Sequence, residues 1–333
     1  MTARIRGVAA HLPARTITSA EVERRIAAES DGFTPSRGIV QRMTGIRARH
    51  VAGDDEQASD LAVAAAAKLL ANEGMAAGDI DLLVFGSASQ DMVEPATAHI
   101  VAAKLGTRCP VFDVKNACNS FLNGLQVAEA LIRAGQYERV LICTGEVPSR
   151  AVRWRVRDRA QFAGAFAGYT LSDAGAAMLV ERGAEGGVFF RDFAAESRAW
   201  DIGTLPGGGT MHPRDPEFGY FAGDGRRLKE AFLLAGPRIF LDALRETGLT
   251  WDDFAVVAVH QVALPYLETL RSELGLPAGK LVVTLPDHGN MASASLPLQL
   301  AIAMEEGRCG PRDRVALLGL GGGVSLGVVF AEL

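Results

Sequence analysis

Cysteine is scarce in this chain. Cys109, Cys118, Cys143 and Cys309 are the only four in 333 residues, and no two stand in a CxxC spacing. That excludes a disulfide-stapled scaffold and argues against a structural zinc site. An excess of positive charge is also missing. The formal net charge is −5, so no global field favours nucleic acid or an anionic membrane. No apolar run reaches the length of a membrane span, and "MTARIRGVAAHLPARTI" lacks the apolar core of a secretory signal. The expectation is a cytoplasmic protein in a reducing compartment, with no membrane insertion, no nucleic-acid partner and no metal.

Apolar residues are plentiful: they make up 48% of the sequence, enough for a large core and more than one small domain needs. Short β-branched runs alternate with Ala/Leu-rich amphipathic stretches. "IDLLVFGSAS" reads as a buried strand and "PATAHIVAAKLG" as the helix after it. "PVFDVKN", "SFLNGLQVAEALIRAG" and "RVLICTGE" repeat the order strand, helix, strand. Such alternation predicts an α/β fold in which helices cover a sheet.

The second half of the chain echoes the first. "FAVVAVHQVA" matches "IDLLVFGSAS", "GNMASASLPLQLAIAMEEG" matches the Cys118 helix, and "DRVALLGLGGG" matches "ERVLICTGE". Val140 pairs with Val315, and the same offset carries Cys118 onto Ser293. A steady offset across three elements indicates a duplicated α/β unit. The glycine- and charge-rich stretch 179–188 is the natural break, giving halves of 1–183 and 184–333. The segments 150–170 and 201–225, rich in Gly, Pro, Arg and aromatics, interrupt the echo and read as caps or pocket walls.

Cys118 lies at the predicted start of a helix, where free N–H groups and the helix dipole lower a thiol pKa. A lone cysteine there is ordinarily a small packing residue, and that reading suffices for Cys109, Cys143 and Cys309. The duplication changes the weight for Cys118. Two halves packed about a pseudo-twofold axis would bring equivalent strand ends together. His260 follows the strand "AVVAV", at the carboxyl end where open α/β sheets bind ligands. Asn290 precedes the second helix, where an N-cap is the ordinary reading. Together the Cys, His and Asn form a candidate catalytic set.

The motifs "DVKNACNSF", "VHQVALPYL", "HGNMASAS", "LGLGGGVSLG" and "QRMTGIRARHVA" together resemble the thiolase-fold condensing enzymes, closest to the β-ketoacyl-acyl carrier protein synthase III (KAS III) group. The resemblance implies two duplicated halves in an αβαβα arrangement and a homodimer. It implies acyl-CoA or acyl-carrier-protein thioesters as substrates, with no separate cofactor. It assigns Cys118 as the acylated nucleophile, His260 and Asn290 as contacts to the second thioester, and the amides of Cys118 and Gly322 as an oxyanion hole. Such residues suit a Claisen-type condensation, because a thiolate takes the acyl group and buried donors stabilise the enolate.

Two features depart from the housekeeping fatty-acid enzyme. In "QDMVEPATA", Glu94 stands where the family sends a residue, usually apolar, into the partner's acyl pocket. A carboxylate there can act in trans as a base, although an ordinary helix-start Glu is an equal reading. Together, "EPATA" and "NACNSFLNGL" resemble the branch that joins two acyl chains in olefin, pyrone or resorcinol-type pathways. The family's coenzyme A arginine is matched by Arg47, but its adenine-stacking Trp is absent, with Phe33 nearby. Arg226, Arg227 and Lys229 in "GRRLKEAF" offer a basic rim for an acidic carrier protein; a solvated helix face is the plainer reading. Three alternatives stand beside condensation: acyl transfer from Cys118 to a hydroxyl or amine, a silent subunit of a heterodimeric synthase, and a thiol hydrolase.

Overall fold

A computed structural model describes residues 2–333. The first sheet contains β1 (Thr2–His11), β2 (Leu82–Gly86), β3 (Val111–Val114), β4 (Arg139–Glu146) and β5 (Ala174–Gly183), in the spatial order β1-β5-β4-β2-β3. β2 is parallel to β3 and β4, while β5 is antiparallel to β4 and β1. The second sheet contains β6 (Gly187–Ala195), β7 (Val256–Val259), β8 (Arg314–Gly321) and β9 (Ser325–Glu332), in the order β7-β8-β9-β6. Its pairings have the same directions: β7 with β8 parallel, β9 antiparallel to both β8 and β6. A trace of the missing fifth strand survives as a bridge between Val257 and Leu281.

Six helices complete the layers: α1 (Ala58–Asn72), α2 (Thr97–Leu105), α3 (Ser120–Arg133), α4 (Gly225–Thr247), α5 (Leu264–Glu273) and α6 (Ser295–Glu305). Their ends follow local chemistry. Asp224 accepts hydrogen bonds from the amides of Arg226 and Arg227 and caps α4, and Gly248, at a φ of 68°, terminates it.

The strands are apolar on both faces, so each face needs its own cover. Leu82, Val84, Val140 and Ile142 face one core that also holds Val256, Ala258, Val315 and Leu317 of the second sheet. Between the two sheets lie α3 and α6, contributing Phe121, Leu125, Leu296 and Leu300 to that core. The alternate residues Leu83, Phe85, Leu141 and Cys143 face α1 and α2. Val257, Val259, Ala316 and Leu318 face α4 and α5. The period-2 alternation thus produces five layers, αβαβα, and it places Cys143 in an outer core, as a packing residue. Each fully buried Val, Leu or Ile in these layers contributes about 1.5–3 kcal/mol of transfer free energy.

The duplication extends to backbone strain. Among the described non-glycine residues, Ala117 (φ 48°) and Ala292 (φ 46°) are two of only four with positive φ, and they stand 175 positions apart. Both precede the central helices, so each copy retains the same unusual turn.

Close approach between layers depends on glycine. A Cβ added at Gly145 on β4 would lie 1.7 Å from the carbonyl oxygen of Ala58 on α1, and one at Gly175 on β5 would lie 2.0 Å from that of Leu61. Backbone cannot yield there as a flexible side chain would. Gly145→Ala is expected to destabilise the fold by about 3 kcal/mol through overpacking, measured as a lowered midpoint in denaturant; an unchanged midpoint would contradict this packing.

Candidate active site

The turn bearing Cys118 bridges β3 and α3. α3 begins at Ser120 with Asn119 as its N-cap, so Cys118 precedes the helix. Three bonds fix the turn: Ser120 Oγ donates to the Ala117 carbonyl at 2.6 Å, the Asn116 amide donates to Ser120 Oγ at 2.8 Å, and the Asn119 amide donates to the Asn116 carbonyl at 3.0 Å. They hold Ala117 in the left-handed region, which costs an L-residue about 1–2 kcal/mol.

Two backbone amides lie near the Cys118 sulfur and favour its thiolate: its own and that of Gly322, from the turn after β8. Gly322 lies against the Cys118 turn, where an added Cβ would be 3.4 Å from that of Ala117. The sulfur is therefore a point where backbone from the two halves converges.

The expected low thiol pKa is corrected by the structure. Burial pushes the thiol up to about 12; the negative charge of Glu146 adds to the rise, and the two amides only partly oppose it. The residue keeps some accessible surface. Desolvation is the largest cause, and Cys118 precedes the first residue of the helix instead of lying within its first turn.

His260 follows β7 and is 4% exposed. Its amide donates to the Leu318 carbonyl of β8 at 3.0 Å. Its Nδ1 is buried without a hydrogen-bond partner. Burial lowers its pKa to about 4, so the imidazole is neutral at ordinary pH. The same strand end, Leu318–Gly322, thus touches both His260 and the Cys118 turn.

Asn290 is 5% exposed, in the turn before α6. Its Nδ2 donates to Thr170 Oγ1 at 3.3 Å, and its Oδ1 accepts from the Ala292 amide at 3.1 Å. Its backbone bonds to Thr170 and Ser172 at 2.8 and 2.9 Å. Thr170 ends the 150–170 segment, whose Trp154, Phe162, Phe166 and Tyr169 pack with Phe33. The Asn290 turn reaches the Cys118 turn through Ser293, whose hydroxyl lies 3.1 Å from the Gly86 carbonyl. Gly86 in turn abuts the Ser120 backbone, 2.8 Å from where its Cβ would sit.

Glu146 escaped the sequence reading. It is fully buried at the end of β4, and its carboxylate accepts from the amides of Ala88 (2.8 Å) and Ser89 (3.1 Å) and from the hydroxyls of Ser89 and Ser293. A lone carboxylate closing an otherwise apolar strand was the available signal. Ser293, the counterpart of Cys118, serves here as a hydrogen-bonding brace.

The remaining candidates lie further out. Glu94 is exposed in the single chain, in a loop that also exposes Met92 and Val93. The Arg47 guanidinium is bidentate to Asp287 at 2.8 and 2.5 Å, half exposed, so its charge is already paired. Phe33 packs in that aromatic cluster, tilted against Phe162 with ring centroids 5.2 Å apart. Arg226 and Arg227 are exposed and Lys229 half-buried at the start of α4, with Arg227 3.6 Å from Asp201. No described helix is long and apolar enough to cross a membrane.

This fold, with a half-buried cysteine where turns of the two halves meet, defines a thiolase-fold condensing enzyme. Residues 112–198 match the 3-oxoacyl-[acyl-carrier-protein] synthase III family and residues 244–333 match its C-terminal domain. Beta-ketoacyl-[acyl-carrier-protein] synthase III of Rhizorhabdus wittichii is 33% identical, covering 96% of each chain, and that of Rhodospirillum centenum is 33% identical, covering 98% of each. The chain belongs to the synthase III (KAS III) family. It also superposes on Xanthomonas campestris OleA with a TM-score of 0.90 at 26% identity, both in the cerulenin-bound form and in a form holding lauric acid and lauroyl-CoA. Those matches cover all of this chain and 97% and 99% of OleA.

The thiol environment has a direct consequence. With a pKa near 12, the thiolate fraction at pH 8 is about one in ten thousand, and alkylation should quicken about tenfold per pH unit. Peptide-resolved iodoacetamide labelling of Cys118 is expected to rise steadily from pH 7 to 11. A plateau below pH 8 would show a thiolate that the burial does not permit.

Proposed function

We propose that the protein performs a Claisen-type condensation of two acyl thioesters through an acyl-Cys118 intermediate. The observation that carries this reading is the packing of the Gly322 turn of one half against the Cys118 turn of the other, which brings the Cys118 and Gly322 amides near one half-buried sulfur. In the first half-reaction the Cys118 sulfur bonds to the acyl carbon of a donor thioester. The thiol proton leaves, the tetrahedral oxyanion rests on the two amides, and the carrier thiol departs with a proton. Neutral His260 accepts and returns that proton. In the second half-reaction an α-carbanion of another thioester attacks the acyl carbonyl, forming the carbon–carbon bond and freeing Cys118. His260 and Asn290 donate to the enolate oxygen, Asn290 through the Nδ2 hydrogen that Thr170 leaves free.

Glu94, supplied by a second copy of the chain, is the proposed base for a condensation without decarboxylation. Its exposure beside Met92 and Val93 suits a loop that enters a partner. Solved OleA variants carry substitutions at a cysteine, a glutamate and a histidine, the residue types found here at 118, 94 and 260. The lauroyl-CoA held by OleA points to a long acyl thioester as the donor class. Carrier-protein donors would meet Arg226, Arg227 and Lys229, with fatty-acid-derived or polyketide natural products as the pathway class.

Intact mass after incubation with lauroyl-CoA is expected to show one acyl adduct, absent in Cys118→Ala. A second acyl thioester should then yield a β-ketoacyl or ketone product, whereas an ester or amide would support acyl transfer instead. Wild-type protein that takes up no acyl group would support a silent subunit.

His260→Ala is expected to lower condensation about 10²–10³-fold. Because burial holds His260 neutral down to about pH 4, the acid limb of the condensation rate that His260 governs should fall near pH 4. A limb near pH 6.5, lost in His260→Ala, would contradict that assignment.

A further inference from the structure

Asn119 is 1% exposed and immediately follows the proposed nucleophile. Its Nδ2 crosses to the second half and donates to Ser325 twice, to the backbone carbonyl at 2.9 Å and to Oγ at 3.0 Å. Ser325 opens β9, three residues past Gly322. The clasp therefore joins the residue after one amide donor to the strand that begins just beyond the other. Surrounding glycines make room for it. A Cβ on Gly319 would fall 2.2 Å from Asn119 Oδ1, and one on Gly321 would fall 2.7 Å from Ser325 Oγ.

The cost of the arrangement is visible in its other atom. Asn119 Oδ1 is buried and accepts no hydrogen bond. For stability alone, a leucine of similar shape would avoid that unpaired acceptor. A leucine cannot reach Ser325 with a donor.

We propose that Asn119 is a positioning residue whose clasp on Ser325 sets the spacing between the Cys118 and Gly322 amides, one from each half. This deepens the condensation reading and rests on it. Without the clasp, no side chain of the nucleophile turn is hydrogen-bonded to the strand after Gly322, and the Gly322 amide drifts from the oxyanion. Losing one such donor costs about 10²–10³-fold in the rate of acyl transfer. The sulfur itself remains, so reactions needing no oxyanion hole continue.

The test compares Asn119→Leu with wild type by three measurements: the saturated rate of acyl-Cys118 formation from lauroyl-CoA, iodoacetamide labelling, and thermal melting. The expected result is an acylation rate about 100-fold lower, with the donor KM within about threefold, labelling within about twofold, and a cooperative melt. Should that variant fail to fold, Asn119→Asp decides. It keeps the shape and regains a donor only when protonated, so its acylation rate relative to wild type should climb as pH falls from 8 to 5. Acylation by a folded Asn119→Leu within threefold of wild type overturns the inference while leaving the condensation reading intact. So does an equal loss of labelling and acylation, or a pH-independent ratio for Asn119→Asp. Wild-type protein that takes up no acyl group overturns the condensation reading, and this inference with it.

Discussion

The packing of the glycine turn after β8 against the turn bearing Cys118 is the contact on which the proposed chemistry depends. The Cys118 amide belongs to the strained turn before α3, the Gly322 amide to the turn after β8. Neither half alone has both. The five-layer stack holds them in register, because α3 and α6 share a single core with both sheets. The strain at Ala117 recurs at Ala292 and so belongs to the repeated turn, whereas the partial burial of the thiol comes from the packing of the two halves around it. Desolvation favours the uncharged forms, so the resting site holds a neutral thiol and a neutral imidazole instead of an ion pair. Chemistry at such a site relies on oriented dipoles that meet charge as it develops, which costs no reorganisation at the moment of reaction.

Around that centre the two copies have divided their labour. His260 stands where the first copy has Gly86, and Ser293 where it has Cys118. Gly86 has no side chain because the backbone of Ser120 and Phe121 lies against it. Ser293 gives its hydroxyl to Glu146, tying the Asn290 turn of one half to the 87–89 loop of the other. That loop runs on to Glu94. The buried carboxylate thus links the groups proposed for the enolate with the loop proposed for the base.

Much of this was legible in the chain. The alternation of apolar residues announced the layered α/β fold, because strands covered on both faces leave that signature. The fixed offset between Cys118 and Ser293 exposed the duplication, and the duplication singled out His260 and Asn290. What stayed hidden depends on atoms distant in sequence. The thiol pKa is raised by burial and then by the charge of Glu146, and both depend on residues far from Cys118 in the chain. The Asn119–Ser325 clasp joins residues about two hundred positions apart, with no local pattern to mark it. Glu146 reads as the polar end of a strand until its donors from Ala88, Ser89 and Ser293 are in place.

The account is tested most directly by a crystal structure of the protein trapped with an acyl group on Cys118. The acyl carbonyl oxygen is expected within about 3 Å of the Cys118 and Gly322 amides together, with His260 and Asn290 facing the open side of the carbonyl carbon. An acyl oxygen that contacts neither amide, or a chain bound with Cys118 unmodified, would contradict the claim that the two halves meet to hold one oxyanion.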